Sequence, residues 1–536
     1  MCQSHRKPID PNQERDGRAL PSKEDGKPVN VVFITIDSLN RHFLKAYGQP
    51  VELDVKTPNI DRLAARGVVF DRHYAGSLPC MPARREFFAG IQEFLWRPWG
   101  PMEPFDRPLA RVARENGFVT QLITDHYHYF QHGSHGYFTD YDGFEFIRGQ
   151  ESDAWKTSPV HPDRNLMRQI KAAADGRHAA PKYRVAYARN AANFSAEEDF
   201  LAPRVFRSAA DWLENNREHE QFLLVIDSFD VHEPFHNPAN FAGLYTNEDP
   251  SDPELVIWPE YGNYREDGRA KLSDRQVAFV RAQYAAKISL MDKWVGRVLD
   301  QLDALRLWEN TVVILTTDHG HYLGEGGWMG KPACPNYDIL AHIPLIIWHP
   351  QGVLNGGRSA ALTSAVDLYA TMVEAMGVSV PPQTHGVSLM PLLLGQTGSV
   401  RDWALYGYFG RTLNITDGRY TYHLGADSAM PLNIYSTMFM NPTKKTSPVE
   451  LPANPISGRF LPYTESKVWK YPVSVPTTFA DRLLFDTDDD PWQQHNLTVT
   501  QPRLARQMHR LLESALRELQ APSEIFDRFA VGRPGG

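Results

Sequence analysis

The sequence predicts an α/β protein: a large, mostly parallel sheet sandwiched by helices, then a smaller C-terminal subdomain with an antiparallel sheet and a helix. Three observations carry this. Continuous apolar, β-branched runs recur between residues 31 and 348, as strands buried on both faces require. Helical stretches with readable caps separate those runs, the alternation that builds a parallel sheet. After about residue 395 the texture changes to short strand-like runs among Pro-, Ser- and Thr-rich stretches. The expected boundaries are a polar arm over 1–28, a main α/β domain over 29–395 and a C-terminal subdomain with a tail over 396–536.

Each element follows in order. Residues 1–28 are polar and Pro-rich without periodicity, an arm rather than a core element. Val31–Asp37 is the first strand. Thr57 and Pro58 supply an N-cap and a proline at the first helical position, and Gly67 ends that helix. Phe118–Thr124 is a strand, Phe200–Asn216 a helix, and Phe222–Ile226 a strand. Ser273 caps a long helix whose apolar residues, Val277 to Leu302, recur at three- and four-residue spacing. Val312–Thr316 and Leu345–Trp348 are strands. Ala404–Phe409, Arg419–His423 and Leu484–Asp486 are short strands, and Arg503–Leu519 is an amphipathic helix. Residues 424–480 show no clear period, and Val531–Gly536 reads as a tail.

The chain has 536 residues, 42% hydrophobic and 22% charged, with a formal net charge of −8. A core of that size needs no disulfide staples. Three widely spaced cysteines fit neither a disulfide framework nor a Cys-based zinc site. The acidic balance argues against nucleic acid as a partner. The first residues lack an apolar core and do not read as a secretory signal, and no apolar run is long enough to span a bilayer. The expectation is a cytoplasmic protein with no membrane partner. The polar arm and the tail are able to wrap a neighbour, which allows a homo-oligomer.

In open α/β sheets, ligands gather beyond the carboxyl ends of the strands. The first strand ends in Asp37. The second runs into Asp125, His126 and His128. The third runs into Asp227, Asp230 and His232, and the fourth into Asp318 and His319. Four strands bring carboxylates and imidazoles to one edge, a metal-plus-acid/base constellation. Asp37, Asp318 and His319 suit a hard divalent cation. A single Asp at a strand end is usually a turn or cap residue; three ligands at one edge point to more. The aromatics from Phe94 to Trp99, with Tyr127, Tyr129 and Phe130, either line an apolar leaving-group pocket or pack in the core.

Cys80-Met81-Pro82-Ala83-Arg84, followed by Phe87-Phe88-Ala89-Gly90, resembles the Cys-x-Pro-x-Arg signature of the type I, formylglycine-dependent sulfatases of the alkaline phosphatase superfamily, which includes related phosphonate monoester hydrolases. Thr57–Gly67, Asp230–Pro234, Thr317–Gly320 with Gly330-Lys331, Asn414–Tyr420 and Leu484–Leu497 resemble further landmarks of that family, in the right order. The resemblance implies an alkaline phosphatase-like fold and a sulfuric ester hydrolase acting on an aryl, alkyl or sugar sulfate. It implies a small-molecule ester substrate, and a maturation enzyme that converts Cys80 to formylglycine (3-oxoalanine). Cys80 is then nucleophile and metal ligand. Asp37, Asp318 and His319 hold one divalent cation, Arg84 anchors the formylglycine, His232 is the general acid, and Lys331 contacts the sulfuryl oxygens. Ca²⁺ is the expected cation because oxygen ligands dominate, and His319 also suits Mn²⁺ or Mg²⁺.

The chain departs from the family pattern at three places. Met81 stands where a small residue is usual. Ser38 follows Asp37 where many relatives carry a second aspartate. Thr124–His128 lacks the lysine of the family's Gly-Lys-x-His element. His128 or His126 then takes the histidine's catalytic role, and Asp125 stands where a positive group is usual. Asp125, His126, His128 and Lys331 are the expected substrate-binding residues. Two alternatives follow: a phosphonate monoester or phosphodiester hydrolase of the same superfamily, and a non-catalytic binding relative in which Cys80 stays unmodified.

Overall fold

The computed structural model describes residues 29–532, apart from 49–50, 132, 158, 160–161, 173–181, 267–270, 334, 441–451, 453, 478 and 480. The arm over 1–28 and tail residues 533–536 lie outside the described residues.

An eight-stranded sheet runs in the order Arg358–Ser364, Val68–Tyr74, Leu345–Trp348, Thr311–Thr316, Asn30–Ile36, Phe222–Ser228, Val119–Thr124, Gly143–Phe146. All seven residues of Asn30–Ile36 are buried, so that run has no polar alternation. Val32 and Ile34 enter one apolar core, under the helices Pro58–Arg66, Leu201–Asn215 and Asp274–Ala304. Val31 and Phe33 enter the opposite core, under Cys80–Ala89, Leu109–Glu115 and Asp367–Ala375. Helices therefore cover both faces, as the sequence predicts. One strand departs from a parallel sheet: Leu345–Trp348 pairs antiparallel with both of its neighbours. A four-residue apolar run carries no mark of its direction. Val68–Tyr74 and Arg358–Ser364 go unrecognised in the sequence because polar residues interrupt them near the sheet edge.

The helix ends show how local chemistry and packing share the work. Ser273 and Gln276 form a reciprocal capping box on the long helix. Thr57 makes no cap hydrogen bond to its own helix. The Asp292 carboxylate, on the long helix, accepts from the Asn59 and Ile60 amides at 3.1 and 2.7 Å instead.

The second sheet is antiparallel through Arg482–Asp486, Tyr420–Gly425, Thr412–Thr416 and Ala404–Tyr408. Its fifth strand is Ser77–Leu78, which pairs parallel with Gly407 and Tyr408. The helix Pro502–Glu518 packs its apolar face on this sheet through Met508 and Leu512. Phe94, Leu95 and Trp96 belong to this core rather than to a ligand pocket. A three-stranded sheet of Asn433–Ser436, Val468–Pro472 and Ile456–Gly458 occupies part of the stretch in which the sequence shows no period. Among the described residues, no helix is long and apolar enough to cross a membrane.

Candidate active site

Directly after Ser77–Leu78 and Pro79, the helix Cys80–Ala89 begins. Pro82 lies in its first turn, where a missing amide leaves no bond unmade. Gly90 closes it at φ +69°, a left-handed conformation that favours glycine. Every residue of the helix is buried. Phe87 meets Phe33 edge-on at 5.4 Å, fixing the helix on the sheet and contributing about 1 kcal/mol beyond the buried area. Cys80 thereby stands at the positive end of a helix, beside the carboxyl ends of the strands.

Cys80 Sγ lies 3.3 Å from His319 Nε2 and 3.1 Å from Lys331 Nζ. Ligand atoms of Asp37, Cys80, Asp318 and His319 lie within 4.8 Å of one another, all buried. Arg84, one turn along the helix, grips both Asp227 oxygens at 3.0 and 2.9 Å, bonds Asp318 and faces Asp37 at 3.2 Å. It also donates to the Cys80 carbonyl at 3.2 Å. Burial opposes the Arg84 charge, but Asp227, Asp318 and Asp37 raise its pKa well above the usual value. Burial likewise opposes the Asp37 charge, while Lys331 and Arg84 hold its carboxyl well below the ordinary range. Three carboxylates face Arg84 and Lys331, so one negative charge is left over. Among the described residues, Asp37 Oδ2 makes no hydrogen bond. That surplus and that open oxygen fit a divalent cation held by Asp37, Asp318, His319 and the atom borne by residue 80. As a thiol, Cys80 is pushed up by burial and by Asp37 and stays protonated.

Loop geometry sets these groups. Ser38 adopts φ +63°, its hydroxyl donating to Asp37 Oδ1 at 2.7 Å and its amide to Asp318 Oδ1 at 3.1 Å. It ties together the two carboxylates it stands between. Gly320 lets the His319 loop pass: a Cβ there would lie 1.9 Å from the Ile339 carbonyl oxygen. Lys331 keeps its charge against burial through Asp37, Glu233 and Asp318.

An open cleft of about 860 Å³ rises from Cys80, His232 and Lys331 between walls at Tyr127–His128 and Trp258–Tyr261. His232 Nδ1 faces the Glu233 carbonyl at 2.8 Å. Burial pushes the His232 pKa down to about 3, with Glu233 opposing. His128 lines the wall, its Nδ1 2.7 Å from Gln131 and its Nε2 3.5 Å from Glu151. Of the four expected substrate-binding residues, His128 and Lys331 reach the cleft. Asp125 and His126 do not. The Asp125 carboxyl turns inward to accept the Phe229 amide at 2.6 Å, and burial followed by Asp230 pushes its pKa well up. His126 stands behind Asp37, 3.4 Å from Oδ2.

The sequence places Asp227 at the sheet edge without a role, and gives no signal for Glu233 or Tyr261 as site residues. Asp227 sits in register with Thr35 and Thr124, so its place at a strand end was readable, but its hold on Arg84 requires the helix to be in position. Tyr261 comes from a loop with no motif, and its hydroxyl donates to Glu233.

A family profile described as Sulfatase matches residues 29–378. Mouse (Mus musculus) iduronate 2-sulfatase is 27% identical over 367 residues, covering 63% of this chain; the match spans 61% of that enzyme's length. The multifunctional alkaline phosphatase superfamily protein PehA of Trinickia caryophylli is 25% identical over 433 residues, 70% of this chain and 78% of that protein. Among solved structures, a phosphonate monoester hydrolase from Silicibacter pomeroyi superposes with a TM-score of 0.63 at 18% identity, covering 93% of this chain and 96% of that one. That likeness is one of fold.

Proposed function

Because the chain belongs to the sulfatase family, we propose that it hydrolyses aryl, alkyl or sugar sulfate esters, with Cys80 converted to formylglycine as the nucleophile. The observation that carries this is the convergence of His319 and the Arg84–Asp37–Asp318 cluster on Cys80 and Lys331, which line the floor of an open cleft. One divalent cation, Ca²⁺ ahead of Mn²⁺ or Mg²⁺, held by Asp37, Asp318, His319 and residue 80, supplies Lewis acidity at that floor. The remaining work belongs to side chains. Hydrated formylglycine is a geminal diol; one hydroxyl bonds to sulfur through its oxygen as the sulfur–oxygen bond to the leaving group breaks, its own proton passing to solvent through the open cleft. His232 gives the leaving oxygen its proton. Lys331 offsets charge on the sulfuryl oxygens. Arg84 fixes residue 80 through its carbonyl. The second hydroxyl passes its proton to the now neutral His232, the aldehyde re-forms, and sulfate departs. Water then restores the diol. His128 borders the leaving group.

A phosphonate monoester or phosphodiester is the second reading, kept by Ser38 and by the missing lysine at Thr124–His128. Arg84 is already gripped by three carboxylates, which leaves Lys331 to face the transferred group. That suits a sulfuryl group better than a phosphoryl group, which carries more negative charge. A cytoplasmic location, a homo-oligomer and maturation by a formylglycine-generating or equivalent enzyme belong to the same proposal.

The test is a peptide mass across Cys80 from protein made in its own host, where the aldehyde lowers the cysteine mass by about 18 Da. Parallel assays on aryl sulfate, phosphonate monoester and phosphodiester then rank the ester classes. An unmodified thiol would overturn the mechanism and leave a binding protein.

A further inference from the structure

We propose that Glu233 is a positioning residue for the departing proton: its carbonyl orients the His232 ring, and its carboxylate stabilises the imidazolium that donates from Nε2. This rests on the general-acid role given to His232 above. Both side chains are buried, at 2% and 3% exposure. His232 Nδ1 meets two acceptors of Glu233, the carbonyl oxygen at 2.8 Å and Oε2 at 3.3 Å. Facing only acceptors, Nδ1 carries the hydrogen, so the exchangeable proton belongs to Nε2.

The carboxylate is itself held. Tyr261, on the cleft rim, donates its hydroxyl to Oε1. His321 Nε2 lies 3.8 Å from Oε2. Oε2 makes no hydrogen bond among the described residues; the Nδ1 hydrogen goes to the carbonyl, and the carboxylate acts on the ring through charge at 3.3 Å. From the long helix, Lys287 donates to the His232 and Pro234 carbonyls at 3.1 and 2.7 Å, fixing the backbone on both sides of Glu233. Burial outweighs the opposing Glu233 charge in the resting site, so the ring takes up its proton only when the anionic ester lies beside it, with Glu233 as the fixed anion behind. Burial also opposes the Glu233 charge, but His232 and Lys331 keep its carboxyl below the usual value. The balance of the step is simple. As the sulfur–oxygen bond breaks, the Nε2 proton moves to the leaving oxygen and the ring becomes neutral, with Nδ1–H still on Glu233.

The experiment is a leaving-group series: 4-nitrophenyl, phenyl and alkyl sulfates with wild type, Glu233→Gln, Glu233→Asp, His232→Ala and the Glu233→Gln/His232→Ala double variant. A good leaving group needs no acid. Glu233→Gln is therefore expected within about threefold of wild type on 4-nitrophenyl sulfate and about 100-fold down on the alkyl ester. Glu233→Asp falls between them with the same trend, which guards against misfolding as the cause. The double variant is expected to lose no more than His232→Ala. Equal loss on all leaving groups, or additive losses in the double variant, would overturn the proposal. Should wild type cleave only phosphonate monoesters, the sulfate reading fails, and the same series in aryl phosphonates decides on Glu233.

Discussion

Arg84 and Arg85 are neighbours on one helix, both fully buried and both paired with carboxylates, yet their surroundings differ in kind. Arg85 grips Asp106 at 3.0 and 2.8 Å and Glu93 at 3.0 Å. Arg97 joins Glu93 to Glu103, whose oxygens also accept from Ser436 and Thr437. This cluster stitches the Cys80–Ala89 helix to the C-terminal part of the chain. It holds three carboxylates and two guanidinium groups, and Glu93 Oε1 alone among those carboxylate oxygens lacks a hydrogen bond. The Arg84 cluster has the same formal excess of one carboxylate. There, however, Asp37 Oδ2 and the ring nitrogens of His126 and His321 make no hydrogen bonds among the described residues, and the neighbouring Cys80 and Lys331 open onto a cleft. Buried charge alone therefore does not mark a site. Unsaturated donors and acceptors beside an opening do.

Substitutions break this comparison on one side at a time. Cys80→Ala has the largest expected effect: steady-state turnover of 4-nitrophenyl sulfate falls about 10⁵-fold or more. Urea unfolding should shift by only about 1 kcal/mol, because the exchange is small and apolar. Next come Arg84→Met and Arg85→Met. Each strands buried carboxylates and costs about 3–5 kcal/mol in the same unfolding assay. Only Arg84→Met should also abolish turnover per folded molecule, and Arg85→Met should keep at least about a tenth of it. Equal activity losses would mean that both clusters belong to the chemistry.

The smallest effect sharpens the stitching side. Burial would raise the Glu103 carboxyl, but Arg97 and Arg85 hold it below 4.5. A depressed carboxyl contributes stability above its unfolded value and loses it as pH falls through the lower folded value. Glu103→Gln should thus cost about 2 kcal/mol at pH 7, and the gap to wild type should narrow below pH 4.5 while neutral-pH turnover stays unchanged. A gap independent of pH, read from unfolding curves across that range, would show that the charge of Glu103 is not what matters.

Legibility in the sequence followed the range of the interaction. Val31–Asp37 was readable because a strand buried on both faces must be apolar throughout, and Ser273 because a cap is made within one turn. Asp37, Cys80, Asp318 and His319 were readable as a group because strand ends share an edge and the Cys80 signature is local. Asp125 was misplaced at the cleft because nothing local says that its carboxyl turns inward to the Phe229 amide, 104 residues away in the chain. The reversed Leu345–Trp348 strand and the Tyr261 contact with Glu233 were hidden for the same reason: each is fixed by a partner distant in sequence.

The two-residue strand Ser77–Leu78 has a consequence for inheritance. Every residue named in the cleft is encoded before position 395, so a stop codon soon after it spares all of them. It removes Gly407 and Tyr408, the pairing that aligns Ser77 and Leu78 just ahead of Cys80, and with them the Glu103 contacts at Ser436 and Thr437. Such an allele behaves as a null although its lesion lies far downstream of the chemistry.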